Sequence, residues 1–309
     1  MRENQPVIYQ SAEKCVDDVI KRVGKNIVLG MPLGLGKANH VANALYRRAA
    51  KDPNMNLTII TALSLERPSP SSELERRFLA PFIERIFGGY VDLEYVKALR
   101  KGALPSNIEV KEFYTKAGAF LKTRHVQENY ISSNYTHACR DILINEVNVV
   151  AQIVCKDTIG GQTYFSTSCN PEVTLDVVDG MRALEKAGKK IAIIAQINQN
   201  LPFMYGDAVV EPELFTDILD HPDYSYRLFS APKMSVSATD YAIGLHASAL
   251  IKDGGTLQIG IGSLGDALCY GLQLRQQQND LYQAVLEKSE IINKFSDTIT
   301  NVGGVKAFK

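Results

Sequence analysis

Three short apolar runs, LTIITAL (57–63), NVVAQIV (148–154) and KIAIIAQI (190–197), constrain the fold of this 309-residue chain more than any other feature. Each is continuous rather than alternating, the pattern of a strand covered on both faces in a parallel sheet. NIVLG (26–30) adds a strand, Ile108 to Phe113 alternates as another, and Tyr164 to Ser168 returns after a turn at Gly160 and Gly161. Helical patterns fill the intervals. Ser11 can cap a helix running to Val23, and Val41, Ala44, Leu45 and Ala49 fall on one face of a second. The stretch from Ser71 to Lys101 also reads as helical, with Phe78, Phe82, Ile86 and Phe87 in one stripe expected to pack. Further helices are expected from Thr136 and from Asn170 or Thr174 to Ala187. Strands alternating with helices place the chain in the α/β class, with an open, mainly parallel sheet flanked by helices.

The segment His221 to Ala238 is rich in Pro, Ser, Asp and Tyr, and only Tyr226 to Phe229 within it resembles a strand. An amino-terminal domain is therefore expected over 1–225, a linker over 226–238, and a second α/β domain over 239–309. That second domain offers a helix (Thr239 to Lys252), a strand (Thr256 to Ile259), a helix (Asp266 to Leu274) and an amphipathic helix (Asp280 to Phe295). It reads as incomplete, and the chain as truncated.

Lys plus Arg total 34 and Asp plus Glu total 34, so bulk charge argues for neither a nucleic-acid partner nor an anionic membrane. An anionic ligand has to be met by a local site. The five cysteines are scattered, with no CxxC pair and no metal-ligand spacing, as expected of reduced thiols. The first residues lack an apolar signal region and no run approaches the roughly 20 residues that span a bilayer, so a cytoplasmic location is expected.

Two glycine corners attract functional readings. In DGGTLQIGIGSLGDALCY (253–270) a strand, a glycine turn and a helix follow one another, placing unpaired N–H groups at the positive end of a helix. Gly260, Gly262 and Gly265 satisfy GxGxxG, yet no strand precedes Asp280, where the ribose-binding acid of a dinucleotide fold belongs, and a helix rather than the strand opens the domain. The earlier corner, GMPLGLGKANH (30–40), departs from the phosphate loop GxxxxGK[ST], with Met31 and Ala38 where glycine and a hydroxyl residue belong. Gln196 and Asn198 stand at the carboxyl end of a buried strand, where open α/β sheets bind ligands. His137, with no nucleophile or carboxylate matched to it, reads as structural.

The run IAQINQNLPFMYGDAVV followed by ASALIKDGGTLQIGIGSLGDAL resembles the paired motifs of the acetyl-CoA hydrolase/CoA-transferase family, the class I CoA-transferases. GMPLGLGKANHVANAL and NYISSNYTHACRDIL are similar to stretches upstream of them in the same family. The resemblance implies a class I CoA-transferase-like fold and attack on an acyl-CoA by a glutamate, passing through a glutamyl-CoA thioester to a small carboxylate or to water. It implies coenzyme A as substrate rather than as a permanent cofactor, no metal, and a homodimer or homotetramer. Gly260, Ile261, Gly262, Ser263 and Leu264 would bind CoA, the backbone N–H groups around Gly262 and Ser263 would hold the oxyanion, and Gln196, Asn198, Gly34 and Gly36 would line the acyl pocket. The nucleophile itself is missing. Glu287 and Glu290 sit at helical spacing beside lysines, as on a solvated face, so the glutamate is expected beyond residue 309 and the chain alone to be inactive. The alternative is a non-catalytic CoA- or nucleotide-binding module that works with a partner chain.

Overall fold

The computed structural model describes residues 5–171, 173–229 and 235–309, and the chain divides into two compact units, 1–229 and 230–309. Residues 230–234 of the expected linker lie outside the described residues. In the first unit the order is β1 (Val7–Tyr9), α1 (Ala12–Val23), β2 (Asn26–Gly30), α2 (Asn39–Lys51), β3 (Asn56–Thr61), α3 (Glu73–Phe87), α4 (Glu94–Lys101) and β4 (Ile108–Glu112). There follow α5 (Arg124–Glu128), α6 (Ala138–Ile144), β5 (Val149–Ile159), β6 (Gln162–Ser166), α7 (Thr174–Lys186), β7 (Ala192–Ile197), β8 (Val209–Val210) and β9 (Asp217–Leu219).

The main sheet runs β1-β9-β7-β5-β2-β3-β4, and every pairing along that path is parallel. β6 and β8 extend it antiparallel. The β5–β6 hairpin turns on Gly160 and Gly161 at φ 61° and 85°, the left-handed conformation a two-residue hairpin needs. All six residues of β7 are buried, as a strand between helical layers must be. On one face Cys15, Val16 and Val19 of α1, Val41 and Leu45 of α2 and Val96 and Leu99 of α4 pack against Leu29, Leu57, Ile59 and Ile194. On the other, Ile142 of α6 and Val177, Val178 and Met181 of α7 meet Val150, Val154, Ile193 and Ala195. This is an α/β fold with an open, mainly parallel sheet between helices.

The sequence-based expectations fail in identifiable places. The stretch from Ser71 to Lys101 is two helices, separated at Gly88 and Gly89, and Gly89 approaches Tyr226 too closely for a side chain without displacement. The Phe78 stripe does not form core: α3 has no buried residue and Phe78 is 82% exposed. Amphipathic spacing shows which face could pack, not whether a neighbour covers it. Tyr226 to Phe229 pairs with no strand. β1 and β9, three residues each, are too short to show a period.

The second unit contains α8 (Ala238–Ser248), α9 (Ser263–Gln277), α10 (Asn279–Lys288) and α11 (Ile291–Val302). Ser237 and Asp240 form a reciprocal capping box at the start of α8. A Cβ on Gly244 would lie 2.7 Å from the Ala267 carbonyl, so the missing side chain lets α8 and α9 touch backbone to backbone. Leu274, Tyr282, Leu286, Ile291 and Ile299 form its core. Thr256 to Ile259 is not a strand. It is exposed, and no strand is assigned among the described residues of this unit that could pair with it. The helix expected from Asp280 to Phe295 breaks at Glu290, which has φ 59°.

Candidate functional site

The carboxyl ends of β2, β3 and β4 carry a buried polar cluster that sequence reasoning missed. After β2 the chain enters a tight turn at Gly34–Gly36, where Gly34 has φ 59°. Two of the turn's N–H groups are spent on backbone carbonyls, Gly34 on Ala62 O (3.3 Å) and Gly36 on Leu33 O (3.4 Å), and so are not free to meet a phosphate. Lys37 follows with 1% exposure. Its Nζ donates to the backbone carbonyls of Leu63 (3.2 Å), Gly34 (3.5 Å) and, more closely, Ala62. Burial pulls the ammonium down to about 7, opposed by the negative charge of Glu112.

Glu112 ends β4 and is itself buried, with burial raising its carboxyl above the usual carboxylate range. Its Oε1 accepts from Ser64, whose hydroxyl also pairs with Tyr95 of α4 at 2.7 Å; its Oε2 has no hydrogen-bond partner. Leu63 and Ser168 hold left-handed backbone conformations, at φ 48° and 56°. Strain of this kind in non-glycine residues costs roughly 1–3 kcal/mol each and gathers at functional sites. Gln152 of β5 donates to Asn170 O (2.9 Å) and Thr167 O (3.3 Å), while its own Oε1 and the Ser168 hydroxyl are buried without partners. Lys37 makes a backbone bridge to Gln152, which joins the glycine turn to this group.

The residues assigned to an acyl pocket fall around that cluster. Gly34 and Gly36 belong to the turn, and Gly36 packs against Asn170. Gln196 on β7 is fully buried and shares a 3.0 Å hydrogen bond with His40 of α2, whose imidazole is lowered by burial. Asn198 is fully buried and donates to Tyr226 O at 3.1 Å. The helix α2 thus ties Gln196 to the element that the glycine turn introduces. One signal for the missed members was visible: Gln152 is a lone polar residue in an apolar run. Nothing similar marked Glu112, which sits in an alternating stretch.

In the second unit Gly262 is the N-cap of α9, at φ 140°, and no side chain caps the helix. The first-turn N–H groups from Ser263 onward are left for solvent or a ligand. Gly260 and Gly262 are exposed with no atom near their missing Cβ positions, and Ile261 is fully exposed. Asp240 lies beside Ser263. Its carboxyl is held below the usual range first by the Ser237 backbone N–H and then by hydroxyls, including that of Ser263. Glu287 and Glu290 are exposed, and Glu290 pairs with Lys294 at 2.6 Å. Among the described residues no cluster of three His, Cys, Asp or Glu side chains could hold a metal, and no helix is long and apolar enough to cross a membrane.

No family model matches the chain. The crystal structure of RipA from Yersinia pestis superposes with a TM-score of 0.59 at 18% identity, covering 86% of this chain. The two proteins share a fold. A curated relative, 4-hydroxybutyrate coenzyme A transferase of Clostridium kluyveri, is 33% identical over 87 residues, 28% of this chain. The chain spans 53% of the RipA chain and 19% of the transferase. The similarity to the transferase is at the level of a CoA-transferase family.

Proposed function

We propose that this chain is part of an acyl-CoA:carboxylate CoA-transferase or acetyl-CoA hydrolase. The observation that carries the reading is the 33% identity with 4-hydroxybutyrate coenzyme A transferase. Because the chain spans 19% of that relative, the activity proposed is that of the whole protein.

In the reaction a glutamate carboxylate attacks the thioester carbonyl of acyl-CoA. The C–S bond breaks, giving an acyl-glutamyl anhydride and CoA thiolate. The thiolate then attacks the glutamyl carbonyl, releasing the first acid and leaving a glutamyl-CoA thioester. A second carboxylate repeats the sequence in reverse, or water hydrolyses the thioester. Each attack places negative charge on a carbonyl oxygen. The N–H groups of Gly262, Ser263 and Leu264 serve as its donors, already oriented at the start of α9 and needing no reorganisation. Gly260 and Ile261 complete the CoA contact. Within the first unit, the turn at Gly34 and Gly36 and the buried Gln196 and Asn198 are assigned to the acyl side. The nucleophile is assigned outside these residues, since Glu287 and Glu290 stand on solvated helix surface and Glu112 is covered by Ser64.

The test is CoA exchange. The complete gene product is incubated with acetyl-CoA and isotopically labelled acetate, and label entering acetyl-CoA is counted. Incorporation supports the transferase, and free thiol without incorporation supports the hydrolase. Neither product rejects both.

A further inference from the structure

We propose that Lys37 is a positioning residue for this reaction, its ammonium tying the Gly34–Gly36 turn to the carboxyl end of β3 through three backbone carbonyls. This rests on the proposed CoA transfer, but the tether is visible without it. An ammonium has three N–H donors, and Lys37 Nζ is met by three acceptors, the carbonyls of Gly34, Ala62 and Leu63. Two of these acceptors, Ala62 and Leu63, follow β3, and the third belongs to the turn itself. A neutral amine has two N–H groups and leaves one carbonyl without a donor. The side chain is buried and makes no ion pair within contact distance among the described residues; the opposite charge acting on it is that of Glu112, whose Oε1 accepts from Ser64.

The placement explains why a lysine occupies the interior here. Leu63 adopts a left-handed conformation that strains a residue other than glycine, and Gly34 N donates to Ala62 O, so the strained turn after β3 meets the glycine turn where the ammonium restrains both. The ammonium supplies three bonds at one point. Lys37 also ends the turn two residues before α2, the helix through which the turn reaches His40 and Gln196. Glu112 from β4 is the charged group facing Lys37; Glu66 beyond β3 acts in turn on Glu112, and Glu112 on Tyr95 from α4. Deprotonation of Lys37 therefore loosens the turn without unfolding the sheet.

The experiment uses the complete gene product labelled with [15N]glycine and [13C]lysine. Across pH 6 to 9 the Gly34 and Gly36 amides are expected to shift with the same midpoint as Lys37 Cε, while Gly244 in the second unit stays fixed. In Lys37→Met the glycine titration is lost, and kcat for CoA transfer falls about 10- to 100-fold, the range that misplacement of a substrate-contacting element produces. Over the same range, wild-type kcat declines with the Lys37 midpoint. Glycine amides that ignore the Lys37 titration would overturn the tether, even if Lys37→Met does not fold. A folded Lys37→Met with wild-type kcat and pH profile would overturn the positioning role. If the wild-type protein neither transfers CoA nor releases free thiol from acetyl-CoA, the proposed function fails, while the titration still decides whether Lys37 sets the turn.

Discussion

Gly36 lies against Asn170 so closely that a Cβ at Gly36 would sit 2.3 Å from Asn170 Oδ1. Asn170 Nδ2 also donates to Leu33 O at 3.3 Å, so the same side chain grips the turn from two sides. The glycine is required by proximity rather than by its backbone angles, since only Gly34 in the turn has positive φ. Gly36→Ala is expected to lose about 1–3 kcal/mol of stability through overpacking, read as a lower urea midpoint. Gly160→Ala, strained but with nothing within 4 Å, serves as the comparison for backbone strain alone.

Lys37 gives a pH dependence of stability with a definite sign. Its folded-state value, about 7, lies below the ordinary 10.5. Below pH 7 both states hold the proton and the penalty for burying the ammonium is present in full. Between about 7 and 10.5 the unfolded chain binds a proton that the folded chain does not, so this group's contribution to stability rises with pH. Wild type minus Lys37→Met, followed by urea denaturation from pH 6.5 to 10, is expected to rise over that window. A flat difference would show that Lys37 is not buried as a titrating group.

Asp217 is fully buried on β9 and held by both terminal nitrogens of Arg22 from α1, the longer contact being 3.2 Å to Nη1. Removing one partner leaves the other charge uncompensated, so Asp217→Ala is expected to cost roughly 3–5 kcal/mol. Arg22 is partly exposed and can rehydrate, which favours the lower end of that range. Thermal unfolding checks it, and Arg22→Met with Asp217→Leu together should recover part of the loss.

The proposed oxyanion role of Gly262 predicts a loss of activity separate from stability. In the complete enzyme Gly262→Val is expected to lower CoA transfer by about two orders of magnitude or more, as for an oxyanion donor displaced elsewhere. Its stability loss should stay near the roughly 1–3 kcal/mol of a strained backbone position. Gly254→Ala, also at positive φ in open space, controls for that strain and should transfer CoA normally.

The fold was legible where burial on both faces writes a continuous apolar run, and β2, β3, β5 and β7 lie where those runs stand. It was not legible at β1 and β9, whose three residues each owe their pairing to neighbours distant in sequence. The α3 stripe illustrates the converse, because a strong pattern marks a face ready to pack and says nothing of what covers it. At the site, glycine spacing located both corners, and the strand-end rule located Gln196 and Asn198. The Lys37–Ser64–Glu112–Tyr95 cluster was hidden because its members come from four separate segments. Lys37 was visible only as a residue that spoiled a phosphate-loop match. A single chain carries no mark that a lysine and a glutamate 75 positions apart are buried together (112 − 37).

The glutamyl-CoA thioester is the central claim, and borohydride trapping tests it most directly. The complete gene product is treated with acetyl-CoA, then with sodium borohydride, and assayed for residual CoA transfer after desalting. The expected result is irreversible loss of activity that requires acetyl-CoA and is prevented by prior incubation with excess acetate. Full activity after borohydride, in a protein that does transfer CoA, would contradict the account.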